Sequence, residues 1–445
     1  MDIFEKCYKS EVVQVAKTLI SNELYPYFHT VESGQDPEVI IEGKKMIMMG
    51  SNNYLGLTSH WRLKAAVINA TRKYGVGCVG SRFLNGTLDI HVKLENEIAQ
   101  FINENGKDNK KALLFSTGMQ TNFGAIAALV SRHEYAIIDE YDHASIYDGC
   151  QLAKAYGAKW VRFKHNDMAD LEQILKTVGF NTPKLIIVDG VYSMEGDIAN
   201  LPGIVELAKK YNARVMVDDA HGIGVLGRGG RGTASQFGLT DKVDIIMGTF
   251  SKSLASIGGF IAADEDIIFY LKHLSRILIF TASPSPSNVA SVRAALKIIN
   301  SITGRRRIKQ LWRNTQKMRA GFKSLGFDTG TSTTPIIPII VGENERAFTM
   351  WKLLYEQGVF TTPIVAPATP PGRALIRVSI MATHTAEQLD KALAAFETAG
   401  RKLGLIDTNQ VWIKKKRYPI YPPLPPFNMS KMRQQLKNWM AKLWR

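Results

Sequence analysis

Residues 215–222 read Val-Met-Val-Asp-Asp-Ala-His-Gly, and residues 245–253 read Ile-Ile-Met-Gly-Thr-Phe-Ser-Lys-Ser. Each stretch is a short apolar run that is followed at once by charged or hydroxyl-bearing side chains. Short continuous apolar runs are typical of strands that are buried on both faces of a parallel sheet. The polar residues would then lie at the carboxyl ends of the strands, where open α/β sheets bind their ligands.

The same pattern extends in both directions along the chain. The apolar runs are Ala112–Phe115, Tyr135–Ile138, Trp160–Phe163, Leu185–Val188, Val215–Val217, Ile245–Met247 and Phe260–Ala262. Amphipathic segments such as Asp170–Thr177 and Ile204–Tyr211 lie between them. This alternation predicts an α/β fold with a mostly parallel sheet that has helices on both faces.

The pattern changes after a predicted helix at Asn288–Ser301. A strand at Ile336–Val341, a helix that ends near Tyr355, a strand at Leu375–Ile380 and a helix at Ala386–Lys402 predict a smaller α+β domain. We therefore divide the chain into an N-terminal arm (1–60), a large domain (61–295), a small C-terminal domain (296–405) and a tail (406–445).

Composition excludes several classes of protein. The 445 residues are 45% hydrophobic and 22% charged, unlike a disordered chain, and the apolar runs are too short for a membrane span. The first residues do not resemble a secretory signal, and three cysteines without metal or redox spacing predict a reduced, cytoplasmic protein without a bound metal. Of the net charge of +16, nine positive charges lie in residues 410–445, which leaves +7 on residues 1–409. This tail carries no nucleic-acid-binding motif, so we predict no nucleic-acid partner.

Five polar clusters follow the predicted strands, and we expect them to form one rim. The clusters are Ser116–Gly118, Asp139–His143, Asp189–Asp197, Asp218–His221 and Gly248–Ser253. Parallel strands bring their carboxyl ends to one edge of a sheet, so residues that are far apart in sequence would meet there.

Lys252 and the Asp218 motif carry the most specific chemistry of this rim. A lysine flanked by hydroxyls and small residues is a candidate Schiff-base lysine, and the alternative is a solvated loop lysine. An Asp at a strand end can pair with the ring nitrogen of pyridoxal phosphate, while His221 can bond the phenolate oxygen of its ring. A structural Asp–His pair is the alternative, but the two motifs together are more specific than either one.

His143 and Gly118 are weaker candidates when they are taken alone. His143 can stack on a flat cofactor ring, although a helix-capping role is favoured by the local sequence. Gly118 and Met119 begin a predicted helix, whose N–H groups and dipole suit a phosphate.

Together these motifs resemble those of the α-oxoamine synthases, pyridoxal-phosphate enzymes of fold type I (aspartate aminotransferase-like). The resemblance covers roughly residues 20–400. Its further motifs are Gly50–Leu57, Asp142–Ser145, His165–Asp167 and Ser193–Asp197. Within the family, residues 80–91, 248–256 and 381–385 are most similar to the bacterial serine palmitoyltransferase branch.

The resemblance implies a function and a role for each site residue. The function would be condensation of L-serine with a long-chain acyl-CoA to 3-ketodihydrosphingosine, CoA and CO2 in a homodimer. Lys252 would bind pyridoxal 5'-phosphate and move the substrate α-proton, Asp218 would pair with the ring nitrogen, and His143 would stack on the ring. The resemblance also implies that Ser193 and His221 contact the ring. The phosphate would be bound by Gly118, Met119, Thr249 and Ser251, and in the second subunit by Thr281 or Ser283. The carboxylate of the substrate serine would be bound by Asn52, His143 and Arg377.

One departure from the family and several rival functions stay open. Many relatives carry a further Arg where this chain has Val365-Ala366-Pro367, which leaves Arg377 as the cationic anchor. Glycine C-acetyltransferase and 8-amino-7-oxononanoate synthase are alternatives that use the same chemistry. A non-catalytic partner subunit is disfavoured because Lys252, Asp218 and His143 are all present.

The tail lies outside the resemblance. Its apolar residues recur at three- and four-residue spacing and are Met429, Met432, Leu436, Trp439, Met440 and Leu443. A basic amphipathic helix of this kind is typical of a peripheral contact with an anionic membrane, here on its inner face. Packing of the same apolar face on the body of the protein, behind the proline-rich residues 419–426, is the alternative, and disorder is a third.

Overall fold

A computed structural model describes residues 2–103 and 109–407 of the chain. The chain divides into two units. The first comprises residues 62–192 and 198–308, and the second comprises residues 2–61, 193–197 and 309–407. The predicted tail helix lies outside the described residues, and the domain boundaries drawn from the sequence stay a prediction.

The described residues contain 13 strands and 15 helices. The strands are β1 (Glu38–Ile41), β2 (Lys44–Met48), β3 (Lys111–Phe115), β4 (Tyr135–Asp139), β5 (Lys159–Phe163), β6 (Lys184–Asp189), β7 (Arg214–Asp218), β8 (Ile245–Thr249), β9 (Gly259–Ala263), β10 (Ile336–Gly342), β11 (Val359–Phe360), β12 (Thr362–Ile364) and β13 (Ala374–Ser379). The helices are α1 (Glu5–Lys9), α2 (Glu11–Ser21), α3 (Trp61–Tyr74), α4 (Asp89–Ile102), α5 (Gly118–Leu129), α6 (Ala144–Ala155), α7 (Met168–Val178), α8 (Leu201–Lys210), α9 (Thr233–Gln236), α10 (Glu265–Leu274), α11 (Arg276–Phe280), α12 (Pro286–Ile299), α13 (Ile302–Leu325), α14 (Asn344–Glu356) and α15 (Ala386–Lys402).

A sheet with the strand order β3-β9-β8-β7-β6-β4-β5 forms the centre of the first unit. Strands β5, β4, β6, β7 and β8 are parallel, and β9 runs antiparallel to both of its neighbours, β3 and β8. Every residue of β6, β8 and β9 is buried, which explains the continuous apolar runs in the sequence. The predicted mostly parallel α/β sheet is confirmed, and the predicted runs fall within the observed strands.

Two helices that follow strands of this sheet begin at polar caps. Thr117 caps α5 by accepting a hydrogen bond from the backbone N–H of Gln120, and Asp167 caps α7 by accepting from the N–H groups of Ala169 and Asp170. Such caps satisfy N–H groups that lack a partner within the helix. They fix the starts of α5 and α7 close after the ends of β3 and β5.

The second unit contains two smaller sheets. Strands β1 and β2 form an antiparallel hairpin that pairs with β11, while β10, β13 and β12 form an antiparallel sheet. Glu42 and Gly43, which connect β1 to β2, both have positive φ angles (49° and 73°), as a two-residue hairpin turn requires. The predicted strands at 336–341 and 375–380 and the predicted helix at 386–402 are confirmed. The sequence did not reveal α13, because its 24 residues are mostly polar.

Among the described residues, no helix is long and apolar enough to cross a membrane.

Candidate active site

One cavity of about 270 Å³ in the first unit is lined by residues from all five predicted clusters. Its lining includes residues that follow strands β3, β4, β6, β7 and β8. Of the predicted site residues, eight line it: Gly118, Met119, His143, Asp218, His221, Thr249, Ser251 and Lys252. The prediction that the strand ends form one rim is therefore confirmed.

Asp218 ends β7 and forms the floor of this cavity. It is buried, and its Oδ1 accepts the backbone N–H of Ala220 at 3.0 Å. Its Oδ2 accepts Nδ2 of Asn122 at 2.7 Å. Two donors, one on each oxygen, hold this carboxyl group in one orientation.

His143 precedes α6 and has a second function besides capping that helix. Its Nδ1 lies 2.7 Å from the hydroxyl of Ser145 and accepts the backbone N–H of the same residue at 3.2 Å. Burial lowers the pKa of His143, and the Lys252 charge lowers it further against the opposing effect of Asp218. The sequence left capping and ring stacking as alternatives, and the structure shows a capping residue whose side chain also lines the cavity.

The opposite part of the cavity combines a helix start with hydroxyl groups. Gly118 begins α5, and a Cβ atom built on it would lie 2.6 Å from Oγ1 of Thr249. Oγ1 of Thr249 in turn lies 3.0 Å from Oγ of Ser251. Only a glycine permits this close approach of the helix start to the end of β8. Helix N–H groups and two hydroxyls form a donor set that suits a phosphate.

Asn52, Ser193 and Arg377 lie together in the second unit. The Arg377 guanidinium donates from Nε to the carbonyl of Ser193, from Nη2 to Oδ1 of Asn52 at 3.0 Å and from Nη1 to the hydroxyl of Ser379 at 2.7 Å. Arg377 is only 6% exposed, and each of these acceptors is neutral. Its positive charge is therefore positioned but not neutralised by them.

Thr281 and Ser283 do not line the cavity. They follow α11 in a segment that pairs with the loop around Gly80, where Ser81 bridges Ala282 and the Ser283 N–H bonds the Gly80 carbonyl at 2.9 Å. The role of these two residues stays a prediction.

Sequence reasoning missed Asn122 and treated Asp189 only as part of a cluster. Asn122 is four residues after Gly118, so the helical repeat places both on one face of α5 and toward the cavity. That spacing could have identified Asn122. Asp189 ends β6 and lines the cavity beside Asp218.

The fold and the donor set define a class of protein. Residues 44–396 match the model of the family described as aminotransferase class I and II, and the chain belongs to this family.

Similar proteins of known name show which branch of the family this chain resembles. The chain is 50% identical to a serine palmitoyltransferase of Sphingobacterium spiritivorum, over 85% of this chain and 92% of the relative. It is 49% identical to the serine palmitoyltransferase of Bacteroides thetaiotaomicron, over 90% of this chain and 99% of the relative. An 8-amino-7-oxononanoate synthase of Thermoanaerobacter pseudethanolicus is 44% identical, over 86% and 95%.

Solved structures give the same result. A structure described as SPT with PLP internal aldimine has a TM-score of 0.85 at 36% identity and covers 91% of this chain and 100% of its own. The serine palmitoyltransferase of Sphingomonas wittichii has a TM-score of 0.86 at 35% identity, covering 92% and 100%. The resemblance inferred from the motifs is thereby confirmed, including its fold type.

Proposed function

We propose that this protein is a pyridoxal-phosphate enzyme that condenses L-serine with a long-chain acyl-CoA, releasing CoA and CO2 and forming 3-ketodihydrosphingosine. The observation that carries the proposal is the single cavity that Lys252, Asp218, His143 and His221 line in a chain that is about half identical to serine palmitoyltransferases. Each of these side chains has a defined task in such a reaction.

The residues present fit pyridoxal 5'-phosphate. Gly118, Met119, Thr249 and Ser251 would hold its phosphate at the start of α5, and Lys252 would bind its aldehyde carbon. When bound, this cofactor supplies an electron sink for the charge that develops at the substrate Cα. The contact between Gly118 and Thr249, which a Cβ atom would prevent, supports this assignment.

The residues around the ring would control protons. Asp218, oriented by Asn122 and the N–H of Ala220, would pair with the ring nitrogen, and His221 would contact the ring substituents. Burial lowers the pKa of His143, so its imidazole is largely neutral at pH 7 and would stack on the ring. Lys252 would accept and return the α-proton of serine.

We assign Asn52 and Arg377 to the serine carboxylate, with Ser193 as a further contact to the ring. The buried guanidinium of Arg377 is held by neutral acceptors, so an anionic ligand would compensate its charge. This assignment is consistent with the absence of a second arginine at residues 365–367.

A second candidate is the 8-amino-7-oxononanoate synthase reaction, which the 44% identity to enzymes of that name favours. Incubation of the purified protein with serine, alanine and glycine and a series of acyl-CoA esters, followed by mass spectrometry, separates the two functions. We expect a 3-ketodihydrosphingosine product with serine and long-chain esters. A product formed only from alanine and a dicarboxylic acyl thioester would support the second candidate.

We propose a homodimer in which Thr281 or Ser283 reaches the phosphate site of the second subunit. The first unit exposes Val76, Val79, Leu84 and Phe280, each by more than 70%. Val79 also has a φ of 52°, a conformation that is rare for a β-branched residue. Val76, Val79 and Leu84 lie on the loop between α3 and α4, and Phe280 ends α11. Exposed apolar residues are typical of an association surface, and burial there would stabilise this loop.

We also retain the proposal that the protein is cytoplasmic and that residues 406–445 bring it to the inner face of an anionic membrane. Its support is the basic amphipathic sequence of the tail, together with a substrate and a product that partition into bilayers.

A further inference from the structure

Buried carboxyl groups lie side by side beneath the cavity. Asp139, Asp189 and Asp218 end strands β4, β6 and β7, and Asp189 is paired in register with Asp218. Each of the three residues is at most 5% exposed. Adjacent buried carboxylates repel one another, so a proton bound to one of them lowers the free energy of the cluster.

The carboxyl groups of the cluster differ in their hydrogen-bond donors. Asp139 accepts four bonds, from the N–H groups of Tyr141 and Asn166, the ring of His165 and the hydroxyl of Tyr192, all between 2.9 and 3.0 Å. Asp142, on the loop after β4, accepts the N–H of Asp189 at 2.7 Å and that of Asp139 at 2.9 Å, one on each oxygen. Asp218 also accepts one donor on each oxygen. Every oxygen of these three carboxyl groups therefore already has a donor.

Asp189 differs from these three residues. Its Oδ1 is buried and accepts no hydrogen bond, and the nearby backbone N–H of His143 only partly offsets the effect of burial on its pKa. Other atoms of Asp189 line the cavity, so this buried oxygen lies just behind its wall. Protonation of an oxygen that accepts no hydrogen bond displaces no donor, so it costs the least free energy there.

Burial and two neighbouring carboxyl groups raise the pKa of Asp189, in agreement with its unpaired oxygen. Burial raises its pKa, the charges of Asp218 and Asp139 raise it further, and Lys252 and the N–H of His143 oppose them. Burial also raises the pKa of Asp142, but a proton on either of its oxygens would compete with an N–H that already donates there. The remaining titratable group in contact with the cluster is Tyr192, whose hydroxyl donates to Asp139.

We propose that Asp189 is a neutral carboxylic acid that positions the active site. It holds the proton of the cluster beside Asp218, so that Asp218 keeps its negative charge for the cofactor ring, and it lines the same wall of the cavity as His143. The part of the proposal that concerns the ring rests on the proposed function, whereas the protonation of Asp189 does not.

Infrared spectroscopy tests the protonation directly, with or without the cofactor. A protonated carboxyl group has a C=O stretching band that carboxylates lack. Burial raises the pKa of Asp219 to about 7, so spectra are recorded at about pH 8.5, where Asp219 is mostly ionised. We expect the band in the unmodified protein and in Asp142→Asn, and its loss in Asp189→Asn. Absence of the band from the unmodified protein, or its persistence in Asp189→Asn, would overturn the proposal.

Binding of pyridoxal phosphate tests the positioning role. Asn is neutral, has nearly the same shape as a protonated Asp and can donate from its amide, so Asp189→Asn should retain cofactor affinity within about threefold and leave the pH midpoint of the cofactor's visible band unchanged. Asp189→Leu should weaken cofactor binding by about tenfold or more, since it replaces a polar group in the wall of the cavity by one that cannot form hydrogen bonds. A midpoint that moves by about one pH unit in Asp189→Asn would show that Asp189 is charged. If the unmodified protein does not bind pyridoxal phosphate at all, the proposed function fails, while the infrared band still decides the state of Asp189.

Discussion

Asn122 donates its side-chain amide to Asp218 at 2.7 Å and to the hydroxyl of Ser145 at 2.8 Å. Ser145 in turn contacts the ring nitrogen of His143. One amide on α5 therefore links the carboxylate at the end of β7 to the imidazole at the start of α6. This link fixes the two groups that would contact the cofactor ring from elements that are distant in sequence.

Replacement of Asn122 by Leu should weaken cofactor binding without unfolding the protein. Leu has a similar volume but cannot donate to Asp218, and a hydrogen bond to a charged group contributes about 1.5–3 kcal/mol. We expect cofactor affinity, measured by fluorescence titration, to fall by about tenfold or more. Asn300→Leu, at an exposed helix end, is the matched control. Equal affinities of both variants would contradict the role of Asn122.

Lys252→Ala should abolish turnover while the cofactor still binds noncovalently. Loss of a covalent catalytic group lowers turnover by several orders of magnitude, on the order of 10³-fold or more. Mass spectrometry after borohydride reduction should find the cofactor attached to Lys252 in the unmodified protein and to no residue in the variant. Lys154→Ala, at an exposed position of α6, should behave as the unmodified protein does. Normal turnover of Lys252→Ala would disprove the assignment.

His384 should make the protein less stable in acid. Burial lowers the pKa of His384 to about 4, against the opposing effect of its contacts with the backbone of Met48 and Met381. The unfolded chain binds a proton near pH 6.5, so the stabilisation is complete above that pH and is lost as the pH falls toward 4. His384→Asn should flatten the pH dependence of the free energy of unfolding between these values, as urea titrations would measure. His133→Asn, at an exposed position, should leave the slope unchanged.

Val79→Asp should dissociate the proposed dimer. Val79 is 96% exposed, so a charge there costs little within one chain but would be buried without a partner at a subunit interface. Sedimentation velocity at micromolar concentration should show a dimer for the unmodified protein and a monomer for the variant. Ile302→Asp, at an exposed residue that begins α13, is the control for an added charge. A fully active monomer of the unmodified protein would refute the shared site.

Deletion of residues 410–445 should abolish sedimentation with anionic liposomes at low salt and leave serine binding intact. The deleted stretch carries nine basic residues and no acidic ones, and each cation near an anionic surface adds about 1 kcal/mol. Binding should weaken as salt increases. If the full-length protein ignores such liposomes, packing of the tail on the body of the protein becomes the preferred interpretation.

The sequence by itself determined the strands, their order along the chain and most chemical groups of the site. Apolar runs such as 185–188 and 245–247 had to be buried, and in a parallel sheet the polar residues after them had to meet at one edge. Lys252 and Asp218 were identified as candidates in this way, whereas the cofactor role of His143 was implied only by the family resemblance. The helix at Ala386–Lys402 was equally clear, because its apolar residues repeat with the helical period.

Only the tertiary structure decided which hydrogen-bond partners the polar groups of the site have. Neither the bond from Asn122 to Asp218 nor the unpaired oxygen of Asp189 follows from local sequence, since both depend on how α5, β6 and β7 pack. The antiparallel direction of β9 was also hidden, because a fully buried strand has the same apolar pattern in either direction. Periodicity reports burial, whereas hydrogen-bond partners and the protonation of buried acids depend on neighbours brought together by folding.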